Sequence, residues 1–160
     1  PRQLVLAVTA FTVAHSITLS LATLDVIHVP GPPVEAIIAL SIVFVAQEVI
    51  QRQRGHAGLA SRKPWLVAFA FGLLHGLGFA GALAEVGLPH NAIPLALLFF
   101  NVGVELGQLA FIAAVLAVTA LLRRLWRGAL EPGWATPLQA YLIGGVASFW
   151  LIERIVAFWG

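Results

Sequence analysis

Two histidines and a glutamate stand inside long apolar runs of this chain. His15 lies in LVLAVTAFTVAHSITLSLATL, His75 in WLVAFAFGLLHGLGFAGAL, and Glu105 in a third run. A charged group at the centre of a membrane span costs about 2.5–3.5 kcal/mol on insertion scales, so such residues usually have a function. Imidazole and carboxylate groups together can bind a divalent metal ion or relay protons. The residue types therefore predict metal or proton chemistry within a membrane.

The position of each residue within its run predicts a shared depth. With a helical rise of 1.5 Å, His15, His75 and Glu105 each lie about 16–18 Å from the start of their runs. We expect all three near the membrane midplane, where they would form one site. Asn101 and Gln108 flank Glu105 with the spacing i, i+4, i+7, so the three residues share one helix face. Because lipid cannot satisfy this polar face, it is predicted to line the bundle interior as metal ligands or their support.

Each polar residue also has a structural interpretation. Asn101 and Gln108, taken singly, are typical of interhelical hydrogen bonding, and Thr12, Ser16 and Thr18 are typical of bonds back to their own helix. A lone buried histidine is structural as often as not. Two histidines and a carboxylate at one depth favour the functional interpretation.

Two further glutamates are candidate ligands towards the ends of the second run. Glu35 follows Pro32 and Pro33, where a carboxylate either complements the positive end of a helix or receives an incoming cation. Glu48 lies one turn from the opposite end. It either lines an exit path, is solvated, or pairs with Arg52 at i+4.

The elements that must position these residues are membrane spans. Of the 160 residues, 60% are hydrophobic and 10% are charged, against about 25% charged in a typical soluble domain. A span needs about 20 apolar residues, and we predict an all-α, polytopic transmembrane bundle forming one domain over residues 1–160. Its five spans are expected at 3–26, 34–51, 64–86, 93–123 and 137–158.

Charge and cysteine content narrow the function. The chain has no cysteine, which excludes thiolate metal sites and cysteine nucleophiles. The basic residues occur in short clusters between apolar runs, a pattern typical of cytoplasmic loops and not of nucleic-acid binding. Eight of the nine Lys and Arg residues fall on one side of a five-span arrangement, which predicts that the start of the chain is cytoplasmic.

Glycine pairs flank two of the candidate ligands. Gly72 and Gly76 form a GxxxG pattern beside His75, and Gly103 and Gly107 form another around Glu105. Small residues at this spacing allow a neighbouring helix to approach closely. The pairs are therefore predicted to bring helices together around a compact polar centre.

Four of these segments resemble the signature segments of a known family. In order along the chain, they are similar to those of the HupE/UreJ family, closest to its second, UreJ-like branch. The matching segments span about 100 residues: TAFTVAHSITLSLA (9–22), VEAIIALSIVFVAQE (34–48), FGLLHGLGFAGAL (71–83) and FNVGVELGQLA (100–110).

The resemblance implies an integral protein of a bacterial inner membrane that acts as a secondary permease or facilitator for nickel. It also implies an association with hydrogenase or urease maturation proteins. Family members usually begin with a further helix bearing a His and an Asp-His pair, which this sequence does not contain. Either a preceding segment supplies it, or this is a shortened homologue. The polar positions that match the family are His15, Ser16, Glu35, Ser41, Glu48, His75, Asn101, Glu105 and Gln108.

The favoured hypothesis is thus a non-enzymatic permease for a divalent cation, with Ni²⁺ implied by the resemblance. Nitrogen and oxygen ligands suit Ni²⁺, Co²⁺ or Zn²⁺, and the order of affinities alone does not choose among them. No tightly bound cofactor is expected; the partners are the lipid bilayer and the cation, and an oligomer is compatible with the sequence. Three alternatives stay open: an intramembrane metal-dependent hydrolase, for which no HExxH or GxSxG motif is present, a b-type haem protein, and a non-transporting accessory subunit.

Overall fold

The described residues form six helices and no strands. A computed structural model describes residues 2–85, 92–125 and 135–159 of the chain. The helices within these ranges are α1 (Arg2–Thr23), α2 (Gly31–Gln53), α3 (Leu59–Arg62), α4 (Pro64–Glu85), α5 (Ile93–Leu125) and α6 (Ala135–Trp159).

Five of the helices, all except α3, are long and apolar enough to cross a membrane. The predicted all-α transmembrane bundle is therefore confirmed, and each predicted run corresponds to one long helix. The second helix begins at Gly31, earlier than residue 34, because prolines are tolerated in a first helical turn. The first ends at Thr23, earlier than residue 26, because Asp25 adopts a positive φ of 65° that closes the helix.

The helices pack in the spatial order α6, α2, α4, α1, α5. The most extensive interface joins α1 to α4, and the next joins α2 to α6. Within the ranges that the structure describes, the backbone of α5 approaches only that of α1, and the backbone of α6 only that of α2; side chains also join α5 to α4, where the rings of Phe100 and Phe79 lie 5.8 Å apart. The two helices that carry His15 and His75 are therefore neighbours near the centre of the bundle.

The remaining faces of the long helices are apolar and exposed. Phe99 and Phe111 on α5 and Phe149 on α6 have 65% or more of their surface accessible. Such side chains are compatible with lipid, because acyl chains are as apolar as they are. Buried apolar contact is concentrated where Leu19 of α1 meets Ile93 and Leu97 of α5.

Candidate functional site

The first glycine pair lies where α1 and α4 cross. A Cβ atom added at Gly72 would overlap the carbonyl oxygen of Phe11, and one added at Gly76 would overlap the carbonyl oxygen of His15. The order of these contacts shows that the two helices run parallel and touch backbone to backbone. The close approach predicted for Gly72 and Gly76 is confirmed, with α1 as the neighbouring helix. By contrast, a Cβ at Gly103 or Gly107 would meet open space, so the second predicted pair is not a packing site among the described residues.

His15 is buried in an aromatic surround. Only 1% of its surface is exposed. Its ring stacks on those of Phe11 and Phe100, with centroids 5.9 and 6.1 Å away, and meets Phe79 edge-on at 5.5 Å. Neither ring nitrogen has a hydrogen-bond partner. Buried polar atoms are nearly always partnered in proteins, so one nitrogen has a lone pair available to a cation and the other an N–H available to an acceptor.

His75 is held by a hydrogen bond within its own helix, and its ring lies against Phe11, which also stacks on His15. Its Nδ1 lies 2.8 Å from the carbonyl oxygen of Phe71, so Nδ1–H donates there and the lone pair is on Nε2. A histidine fixed this way by a backbone carbonyl is typical of metal ligation through the other nitrogen. The His75 ring also meets Phe11 edge-on at 5.3 Å, which places both imidazoles in contact with one aromatic ring.

Glu105 contacts α1 at Thr9, on the N-terminal side of His15. Thr9 donates a hydrogen bond to its Oε1 over 3.2 Å. Because Phe100 lies against His15 and Glu105 against Thr9, α1 and α5 run antiparallel. Thr9 and His15 are six residues apart, which corresponds to about 9 Å along the helix. Glu105 is therefore about one and a half turns from the level of His15.

The predicted three-residue site is consequently not assembled. Among the described residues, no three His, Asp or Glu side chains are close enough together to hold one metal ion. We expected His15, His75 and Glu105 to form a single site at one depth. In the structure, Glu105 lies at a different level from His15. Counting residues from the start of each run neglects the relative displacement of the helices, which is decided where α1 and α5 pack together.

The amide residues of α5 extend the polar face as predicted. Asn101 donates from Nδ2 to the carbonyl oxygen of Leu97 over 2.8 Å. Its Oδ1 is buried without a partner, and so is Oε1 of Gln108. Both free atoms are carbonyl-type oxygens, which accept a cation as readily as a hydrogen bond. They lie on the helix that packs against α1 and flank Glu105 in sequence.

The two outlying glutamates have structural partners. The carboxylate of Glu48 accepts hydrogen bonds from the backbone N–H groups of Leu59 at 2.6 Å and Ala60 at 2.8 Å, so it caps α3. Glu35 makes no capping bond to α2; it forms an ion pair of 3.0 Å with Arg154 of α6. These contacts differ from the Arg52 pairing considered for Glu48 and from the capping role considered for Glu35. The exit-path role of Glu48 and the cation-receiving role of Glu35 stay predictions.

Sequence reasoning did not single out Thr9, nor the aromatic surround of His15. Thr9 was one threonine among several, and the hydroxyls of Ser16 and Thr18 indeed bond back to their own helix as predicted. A usable signal was present in the repeated pattern Phe-x-x-x-His, which occurs at Phe11 and again at Phe71. Residues four apart share a helix face; the Phe11 ring stacks on His15, whereas Phe71 contacts His75 through its backbone carbonyl.

Membrane-length helices enclosing imidazole, amide and carboxylate groups define the class of the molecule: an integral, polytopic helical membrane protein. A family model described as HupE / UreJ protein matches residues 1–154, and the chain belongs to this family. It is a family of membrane transporters and accessory proteins associated with nickel and cobalt. The comparisons with curated proteins and with solved structures gave no match.

Proposed function

We propose that the chain is a divalent-metal permease whose substrate ion moves along the interface between α1 and α5. One observation supports this above the others. All the buried side-chain nitrogen and oxygen atoms that lack a partner within the described residues belong to α1 or α5. These atoms are Thr12 Oγ1, His15 Nδ1 and Nε2, Thr23 Oγ1, Asn101 Oδ1 and Gln108 Oε1.

This distribution of unpartnered atoms suits the passage of an ion better than its retention. An ion passing through a membrane needs groups that replace part of its hydration shell, yet each position must bind weakly enough to release it. A three-ligand cluster would retain Ni²⁺, since affinity increases with the number of nitrogen and oxygen ligands. Single ligands distributed from Gln108 through Glu105 to His15 offer successive weak positions instead.

The two ionisable residues along this path have distinct roles in the proposal. The Glu105 carboxylate supplies the negative charge that compensates the ion, and the Thr9 hydroxyl orients it. His15 offers a neutral nitrogen near the middle of α1, surrounded by rings that exclude water. His75 lies one aromatic ring away, and its Nε2 lone pair is a further ligand. Because a cation and a proton compete for the same imidazole, acid conditions are expected to slow transit.

The family and the charge pattern support a particular substrate ion and a particular membrane for this proposal. We propose Ni²⁺ as the substrate, with Co²⁺ and Zn²⁺ as competitors that the same nitrogen and oxygen ligands accept. The distribution of Lys and Arg supports a cytoplasmic start of the chain in a bacterial inner membrane. Delivery to hydrogenase or urease maturation proteins is the corresponding cellular role.

The test is Ni²⁺ uptake into vesicles containing the purified chain, followed with a metal-sensitive dye in the lumen. His15→Phe keeps an aromatic ring and removes both nitrogens, and Glu105→Gln keeps the shape and removes the charge. Both are expected to abolish most of the uptake. Glu153→Gln, an exposed position on α6, is the matched control and should transport like the unaltered chain.

Two outcomes would contradict the proposal. The first is uptake by His15→Phe and Glu105→Gln at the rate of Glu153→Gln, which would show that the α1–α5 interface does not carry the ion. The second is uptake by the unaltered chain no faster than by protein-free vesicles, which would favour the accessory-subunit interpretation.

A further inference from the structure

A cleft of about 670 Å³ opens between α2, α4 and α6, and Phe11 of α1 also lines it. It lies towards the end of the bundle at which α2 ends and α4 begins, called here the basic end because Arg52, Arg54, Arg62 and Lys63 are there. Its volume is in the usual range of small-molecule sites, about 300–1,000 Å³. Of its lining residues, all are apolar except Ser41, His75, Thr136 and Gln139.

The cleft is as deep as one leaflet of a bilayer. On α4 its lining runs from Pro64 at the basic end to His75 at the deep end. These residues are eleven positions apart, which is about 17 Å along a helix. The hydrocarbon core of a membrane is about 30 Å thick. A groove that begins at the surface and ends near the middle therefore matches the length of a single acyl chain.

The charges at the mouth indicate which molecule enters. Arg62 and Lys63 are exposed and directly precede Pro64 in the chain. The nearby carboxylate of Glu48 accepts hydrogen bonds from the backbone amides of α3 and keeps its charge, but the four basic residues described at this end outnumber it. Basic residues beside a gap between membrane helices attract anionic headgroups. The same charges repel a divalent cation, whereas the mostly apolar walls suit an acyl chain.

We propose that this cleft binds one acyl chain of an anionic phospholipid whose phosphate rests against Arg62 and Lys63. The acyl chain packs against Val45 on one wall and Val67 on the other, and it ends near the His75 ring. The second acyl chain stays in the bilayer. This lipid site adjoins the metal path only at its deep end, where Phe11 and His75 line the cleft; its mouth at Arg62 and Lys63 lies apart from that path.

The test is lipid retention by the purified full chain reconstituted into phosphatidylcholine vesicles that contain phosphatidylglycerol, then released into mild detergent for native mass spectrometry. We expect one phosphatidylglycerol molecule to stay bound. Ala68→Phe fills the cleft and should lower retention by about tenfold or more, a difference readily resolved between related complexes. Ala70→Phe is the matched control, since Ala70 is exposed on the same helix and does not line the cleft. Replacing Arg62 and Lys63 by Gln should remove the preference for phosphatidylglycerol over phosphatidylcholine.

Equal retention by Ala68→Phe and Ala70→Phe, or no preference for phosphatidylglycerol in the unaltered chain, would overturn the proposal. If Ala68→Phe fails to fold, as judged by circular dichroism, photolabelling of the unaltered protein tests the proposal instead. Phosphatidylglycerol with a photoreactive group on its acyl chain should label the cleft walls at 42–49 and 67–75. Labelling no stronger there than along the exposed face of α5 would equally overturn it.

Discussion

Gly76→Ala is the sharpest test of how the bundle is built. The added Cβ would overlap the carbonyl oxygen of His15 and Oγ1 of Thr18, and would lie 2.9 Å from the backbone nitrogen of Leu19. Two of these atoms belong to the α1 backbone and cannot rotate away, so the helices must separate. Ordinary contacts of a Cβ atom begin at 3.4 Å. Overpacking of this kind typically costs about 1–3 kcal/mol.

The control for this substitution lies on the same helix. Gly81→Ala makes the identical chemical change where a Cβ would meet nothing within 4 Å. It should be neutral or stabilising, because alanine favours a helix over glycine by roughly 0.8–1 kcal/mol. This gain applies at both positions and cancels in the comparison, so the difference isolates the contact with α1.

The assay is the free energy of unfolding in mixed micelles, with helicity followed by circular dichroism as denaturing detergent is increased. We expect Gly76→Ala to be less stable than Gly81→Ala by about 1–3 kcal/mol. Equal stability of the two variants would refute the backbone contact between α1 and α4. It would also remove the geometric basis for placing the two histidines against one aromatic ring.

Three further results are expected. Thr9→Val should slow Ni²⁺ uptake about threefold to tenfold while Thr9→Ser should not, since only valine removes the donor to Glu105, and an exposed hydrogen bond of this kind contributes roughly 0.5–1.5 kcal/mol; equal uptake by Thr9→Val and Thr9→Ser would contradict this expectation. Glu48→Gln should raise amide hydrogen exchange in α3 about tenfold while leaving the long helices unchanged, because it weakens the cap. A double-mutant cycle on Glu35 and Arg154 should give a coupling below about 1 kcal/mol that salt reduces further, since both side chains are about half exposed.

The spans were predictable because they depend on local composition. Twenty or so apolar residues between polar breaks satisfy a membrane helix wherever the rest of the chain lies. Helix α3 was not predicted, because four residues show no periodicity. It is capped by Glu48, eleven residues earlier in the chain, whose carboxylate reaches it only once α2 and α4 are folded.

The candidate ligands were predictable as residue types but not as partners. An ionisable group in an apolar run is visible to any reader of the sequence, and so is the glycine pair that faces α1. The bond between Thr9 and Glu105 joins residues 96 positions apart, and the Glu35–Arg154 pair joins the second helix to the sixth. Neither follows from spacing within a helix.

The sequence by itself thus determined the five membrane-length helices that the described residues contain, with imidazole, amide and carboxylate groups in their apolar runs. The tertiary structure alone decided that α1 lies between α4 and α5, and that His15 and Glu105 sit at different levels along it. The physical reason is that hydrophobicity acts on each segment separately. The relative displacement of two helices is set instead by van der Waals contact between particular side chains and backbones.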